Sequence, residues 1–347
     1  MRRPSSRHAL VAALAASLAI AAPVAVSAKQ PSGCTTGQAK VFFPNPVATG
    51  GVGLTDQKDA DYADLNVQRV SVQLTDLDGS GFLRGTWATV AGETGDSAYG
   101  GADCNFVFTC HDDRFEQVMA YYWVTQSQLY LQSLGFDGET WPLINGDQQR
   151  VRINQYGVDN SFATDHPKDE MRFGKGGVDD AEDGEVIIHE YGHSVQDNQV
   201  PGFGAREEGG AMGEGFGDYL AATVTASVVG DFQLTCIAEW DATSYASGVP
   251  HCLRRLDSTK HYPQDASGEV HDDGELWSAS LFQIRGALGA AKADRVILAA
   301  HFLLSTTANF KDGSNALVTA AINLGLTAAE VATMRTILAN RGFAVTA

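Results

Sequence analysis

The sequence predicts an α+β fold in two lobes, a β-rich lobe first and a helical lobe after it. Three observations carry that expectation. Val70-Ser71-Val72-Gln73-Leu74 alternates apolar and polar, the period of a half-buried strand, within a stretch from 37 to about 110 that reads as β-rich. Phe115, Val118, Met119, Tyr122, Gln126, Leu129 and Leu134 recur at helical spacing, and Gly135 stops the pattern. Beyond Gly184 the pattern is helical to the C-terminus, with Gly-rich connections.

The N-terminus stands outside that fold. Arg2, Arg3 and Arg7 precede an apolar run from Ala9 to Ala22 and the small-residue site Val26-Ser27-Ala28. This is the pattern of a secretory signal peptide over residues 1–28, too short and wrongly flanked for a spanning helix. Cleavage removes three arginines and no acid, taking the formal net charge from −18 to −21. A secreted protein, extracellular or periplasmic, is expected. So acidic a chain disfavours nucleic acid and anionic membranes as partners. No second apolar stretch of spanning length follows, and a soluble monomer is expected.

Export permits disulfides. Of Cys34, Cys104, Cys110, Cys236 and Cys252, the local pairings Cys104–Cys110 and Cys236–Cys252 are expected, with one cysteine left over. The absence of a C-x-x-C motif argues against a thiolate zinc site.

In the β-rich part, 29–110, the strand at Val70–Leu74 is followed by Asp76-Leu77-Asp78-Gly79-Ser80-Gly81 and then Phe82-Leu83, which reads as a hairpin. The turn has the Asp76, Asp78, Ser80 alternation of a calcium loop. Trp87 stands where the bidentate glutamate belongs, so a plain Asp/Gly turn is expected. Val151–Ile153 is a candidate strand, and Asn160–Ala163 and Met171–Gly174 read as edge strands. The loop from Gly176 to Gly184 carries Asp179, Asp180, Glu182 and Asp183. These could hold Ca2+, although such loops are usually solvated surface.

The chemistry lies at the seam. Glu185-Val-Ile-Ile-His189-Glu190-Tyr191-Gly192-His193 contains H-E-x-x-H on a helix expected at about 183–198. Residues four apart share a helix face, so His189 and His193 can reach one ion. Glu190, one position round, can take a proton from an attacking water. Glu214 and Asp218 are also four apart, on a helix expected from about Gly213. Glu214 would complete a His2Glu set, and Asp218 would hydrogen-bond the far nitrogen of His189. Downstream, His271 could stabilise an oxyanion if Asp265, Glu269 or Glu275 held it; the plainer reading is a histidine packing a helix that begins near Asp272.

Together, H-E-Y-G-H at 189–193, G-E-G-F-G-D-Y at 213–219 and V-H-x-x-G-E-L-W at 270–277 resemble the gluzincin metallopeptidases. The resemblance is to the fungalysin family first and the thermolysin family more distantly. Weaker likenesses in the same order are Ala120–Tyr122 through Asp137, Asn160–Ala163, and Arg254-Arg255 with Ser258-Thr259. The resemblance implies a thermolysin-like two-lobed fold, with residues 111–347 as the peptidase domain and the His189 helix at the cleft floor. It implies Zn2+ on His189, His193 and Glu214, Glu190 as general base, His271 as transition-state stabiliser and Asp218 as support for His189. A protein or peptide substrate would lie as an added strand on Asn160 and the backbone of Ala163, with Arg254 or Arg255 on a substrate carbonyl.

The sequence also departs from these families. Only about ten residues separate the cleavage site from the first matching β segment, so inhibition by a long prodomain is not expected. No tyrosine occurs between 194 and 213, where the thermolysin family uses one. The expected activity is that of a zinc endopeptidase using metal-activated water. A binding protein that kept the fold without catalysis is the competing reading. It is disfavoured because all three ligands and the base are present.

Overall fold

A computed structural model describes residues 33–164, 169–230 and 233–346; the signal-peptide segment lies outside the described residues. In chain order come β1 (Gly37–Val41), α1 (Pro46–Gly50), α2 (Ala63–Asn66), β2 (Val70–Leu74), β3 (Ala88–Gly92), β4 (Asn105–Phe106) and the long helix α3 (Asp113–Ser133). Then follow β5 (Gln149–Ile153), β6 (Ser161–Thr164), β7 (Glu170–Phe173), α4 (Gly184–Gln199) and α5 (Glu207–Val229). The chain closes with β8 (Cys236–Ile237), β9 (Arg254–Arg255), α6 (Val270–Leu288), α7 (Ala290–His301), α8 (Phe310–Asn323) and α9 (Ala328–Asn340). This is a mixed α+β chain with strands early and helices late.

Val70–Leu74 is a strand, but not half of the expected hairpin. Its antiparallel partner is upstream, β1, in the register Gly37↔Leu74 and Val41↔Val70. Asp76, Gly79 and Gly81 all have positive φ, and Asp78 Oδ1 accepts from Ser80 N at 2.9 Å. The turn is therefore tight enough to send Phe82 to a bridge with Tyr99 instead of back along β2. The alternating burial of β1 supplies the apolar face that β2 needs.

Helix α3 starts where Asp112 caps it, accepting from Arg114 N at 3.0 Å, and Gly135 follows its end at φ +97°. It is more deeply buried than a one-sided stripe. Tyr121, Trp123 and Val124 are inaccessible along with Phe115, Val118 and Met119, while Leu129 turns outward. The helix lies among β1, β3, β5 and α4, so it has no free face along most of its length.

The larger sheet runs β3-β5-β7-β6. β3, β5 and β7 are parallel, whereas β6 pairs antiparallel with β7, Ser161↔Phe173 and Thr164↔Glu170. β6 is an edge, as expected. Met171–Phe173 is not an edge: β7 lies between β5 and β6, and Met171 and Phe173 are fully buried.

Two disulfides form, Cys236–Cys252 as expected and Cys34–Cys104 instead of Cys104–Cys110. The parallel pairing of β4 with β1, Gln38↔Asn105, carries Cys104 to Cys34, with a Cα separation of 5.6 Å. Cys110 is left as a buried free thiol just before α3.

The acidic loop is not solvated surface. Asp179, Asp180, Glu182 and Asp183 are all buried. Buried acids need donors. Trp240 supplies its indole N–H to Glu182 at 3.0 Å and its backbone N–H to Asp183 at 3.1 Å. These bonds tie the start of α4 to the segment after β8. Among the described residues no helix is long and apolar enough to cross a membrane.

Candidate metal centre

Helix α4 forms where the sequence predicts it. Asp183 caps it, accepting from Glu185 N at 2.9 Å, and Val186, Ile187, Ile188 and Val195 bury its apolar side. Helix α5 begins at Glu207, a turn and a half earlier than expected from Gly213. The two helices meet glycine to glycine. A Cβ on Gly192 would stand 2.9 Å from the Gly217 Cα, and one on Gly217 would stand 2.6 Å from His189 Nδ1. Only glycine permits that approach, and it leaves room for the imidazole between the helices.

The three ligand candidates converge. His189 Nε2 lies 3.2 Å from His193 Nε2 and 3.2 Å from Glu214 Oε2, and His193 Nε2 lies 3.4 Å from Glu214 Oε1. A tetrahedral zinc with ligands at about 2.1 Å would hold its donor atoms about 3.4 Å apart, so this set fits the ion without rearrangement. Two imidazole nitrogens aimed at each other, with a carboxylate beside both, form the donor set of a borderline-soft cation. Among the described residues only one other group of ligand side chains is comparably close, Asp159, Asp180 and Asp241. Of the four acids offered for calcium, Asp180 alone joins such a group.

Electrostatics separate the two histidines. Burial pushes His193 down to about 4, leaving it neutral with a lone pair to give. Burial acts in the same direction on His189, but the hydrogen bonds its ring donates to Asp218 and Glu214 outweigh it and hold the ring up at about 10. The second proton on that ring and a cation compete for the same Nε2 lone pair. Burial drives Glu190 up to about 7, with the Glu214 charge adding to the effect and His189 opposing it. Glu190 is 6% exposed, and its Oε2 has no hydrogen-bond partner.

Asp218 accepts from His189 Nδ1 at 2.9 Å, fixing which nitrogen faces the site. Its other contact was not legible in the sequence. Arg254 grips it with two bonds, Nε to Oδ2 and Nη2 to Oδ1, each 2.7 Å. Arg254 is the one of the two arginines that reaches the centre; its Nη2 also lies 3.9 Å from Glu214 Oε2. Arg255 points away and pairs with Asp257, because neighbours on strand β9 face opposite sides.

His271 sits in the first turn of α6, which begins at Val270. Its Nδ1 pairs with Glu269 Oε1 at 2.6 Å, and its Nε2 is 3.6 Å from Glu214 Oε2. Of the three candidate holders, Glu269 is the partner. Asp265 accepts from His261 N, and Glu275 pairs with Lys260. The His271 side chain is 56% exposed, so it borders the centre from the solvent side.

Two cavities of about 430 and 410 Å3 share Asn160, Ser161, His189, Glu190 and His271 in their walls. The second adds Ala163, His193 and Glu214; the first adds Arg254. Every residue expected at the site except Asp218, which is buried behind it, and Arg255 therefore faces one cavity or both.

The Fungalysin metallopeptidase (M36) family matches residues 101–293. Extracellular metalloproteinase 4 of Trichophyton tonsurans is 30% identical over 113 residues, as are the proteins of that name from Trichophyton rubrum and Arthroderma gypseum. Each match covers 28% of this chain and 17% of the relative. The family match runs through α4, α5 and all of α6 to the start of α7, and on that breadth of agreement the chain belongs to the fungalysin metallopeptidase family.

Proposed function

We propose that the chain is a secreted zinc endopeptidase. The observation that carries this reading is the convergence of His189, His193 and Glu214 at 3.2–3.4 Å beside a buried carboxylate, Glu190, that has an unpartnered oxygen. Bound by those three residues, zinc supplies a Lewis acid that polarises the scissile carbonyl and makes water acidic. Glu190 takes the proton of the attacking water and returns it to the leaving amine. A carboxyl held near 7 by burial suits both halves of that task. His271, oriented by Glu269, donates to the oxyanion. Arg254 and Asp218 hold His189 in the tautomer that offers Nε2.

Cavities on both sides of Glu190 support passage of a chain through the site, hence an endopeptidase acting on protein or peptide. Asn160 and the exposed edge strand β6, with Ala163, border that path and favour a substrate bound as an added strand. In this reading the strands and helices around the cleft act as the two lobes, with α4 as the floor. Residues 111–347 are the peptidase domain, and residues 1–28 direct export. The disulfides, and the word extracellular in the relatives' names, support secretion. The enzyme acts as a monomer, with neither nucleic acid nor membrane as partner.

The test is casein and peptide hydrolysis by protein of measured metal content. One zinc per chain without cleavage would overturn the reading in favour of a non-catalytic binding protein. Two smaller effects follow. His271→Ala is expected to lower kcat about 10- to 1000-fold with zinc retained, since it removes one oxyanion donor; loss of metal would instead mark His271 as a ligand. Asp218→Asn is expected to weaken zinc binding about 10- to 100-fold by loosening His189, measured by competition with a chelating dye. Unchanged affinity would remove Asp218 from the support of the metal.

A further inference from the structure

The cavity on the Arg254 side of the centre has an unusual wall. Asp159, Asp180 and Asp241 line it together, with carboxylate oxygens all within 4.8 Å of one another. Asp180 is 2% exposed and Asp241 5%. Each has one oxygen engaged, Asp180 by the Ser161 hydroxyl and Asp241 by Tyr245 Oη at 2.6 Å. Asp180 Oδ1 is buried with no hydrogen-bond partner, and Asp241 Oδ1 likewise meets no backbone or basic donor, its carboxyl standing against that of Asp159. Among the described residues no lysine or arginine pairs with any of the three. Arg254 shares the cavity but is already committed to Asp218.

We propose that this cavity takes the lysine or arginine side chain of the substrate residue adjoining the scissile bond. The inference rests on the peptidase reading and deepens it by naming the substrate class. Three features of the cavity fit that occupant. Val186, Ile237 and Leu253 line it and offer apolar surface to the methylene stem of a long basic side chain. The three aspartates meet its charged head with charge-assisted hydrogen bonds. Its volume of about 430 Å3 accommodates one such side chain, and it shares Glu190 and His189 with the catalytic centre, so the occupant belongs to a residue next to the bond. An apolar substrate side chain would leave Asp180 Oδ1 buried and unpaired, which disfavours it. Burial also holds Asp180 up at about 9 and Asp241 up at about 7, so a bound cation would stabilise the charged forms that the empty cavity disfavours.

The experiment is cleavage-site mapping on a peptide mixture by the zinc-loaded protein and by its Asp159→Asn, Asp180→Asn and Asp241→Asn variants. Lysine and arginine at one position adjoining the cut are expected to be enriched at least roughly tenfold over leucine and phenylalanine, and the enrichment is expected to fall in each variant. Asp159 is exposed, so its variant stays informative if either buried substitution impairs folding. Cleavage with no basic preference would overturn the proposal and leave the peptidase reading standing. Absence of all cleavage would count against the peptidase reading. The cavity is then read separately, by affinity of the Glu190→Gln protein for matched lysine and leucine peptides, where equal affinity overturns the proposal. Uptake of a second divalent ion, abolished by Asp180→Asn, would also overturn it by assigning the carboxylates to a metal.

Discussion

Glu190→Gln is expected to lower kcat/KM for peptide hydrolysis by roughly 10^2- to 10^4-fold while zinc stays at one per chain. The substitution keeps the shape of a side chain that is 6% exposed on the inner face of α4, so the fold has no reason to change. It removes the one property the mechanism needs, an oxygen able to take and return a proton near neutral pH. The two carboxylates nearest the histidine nitrogens are already engaged. Glu214 is occupied by the two histidines, and Asp218 by His189 and Arg254. The measurement is steady-state hydrolysis of a defined peptide beside metal analysis of the same preparation. A variant that keeps both activity and zinc would sink the proposed mechanism.

Glu214→Ala is expected to lose zinc on dialysis and, with it, all peptide hydrolysis. In the proposed site Glu214 is a full ligand, so its removal should exceed the 10- to 100-fold effect typical of residues that merely support one. The helix should survive, because alanine is the best helix former and Glu214 lies within a 23-residue helix packed along α4 and α6. Circular dichroism separates loss of metal from loss of fold. Full zinc retention in the folded variant would mean that the third ligand lies elsewhere. The two substitutions differ in a useful way, since one is expected to lower turnover with the metal in place and the other to remove the metal.

The parts of the site legible in the sequence are those set by local periodicity. His189 and His193 share a face because a helix repeats every 3.6 residues, and the same holds for Glu214 and Asp218. The motif and the apolar run before His189 place that helix to within a few residues. Edge strand β6 is legible at Asn160–Ala163, where the resemblance also places one. What failed was partner choice. β2 pairs with a strand some thirty residues upstream, not with the segment after its turn, because the turn redirects the chain. Cys104 pairs with Cys34, 70 positions away, because a parallel strand pair brings them together. β7 reads as an edge strand in the sequence, yet neighbours on both sides bury it.

Charge was the least legible property. Asp179 to Asp183 look like a solvated loop in one dimension, yet all four acids are buried, with Glu182 and Asp183 held by donors of Trp240 and Asp241 from 57 or 58 positions away. The motif leaves Arg254 and Arg255 as equal candidates, and what separates them, the grip of Arg254 on Asp218, spans 36 positions and has no local signature. The carboxylate-lined cavity draws its three aspartates from the segment before β6, the turn before α4 and the segment after β8. The sequence by itself determined the helices, the ligand spacing and the expected chemistry, because each depends on backbone geometry within a few residues. The tertiary structure alone decided which buried charges are paired and which face a cavity, because desolvation and pairing depend on distances between segments far apart in the chain.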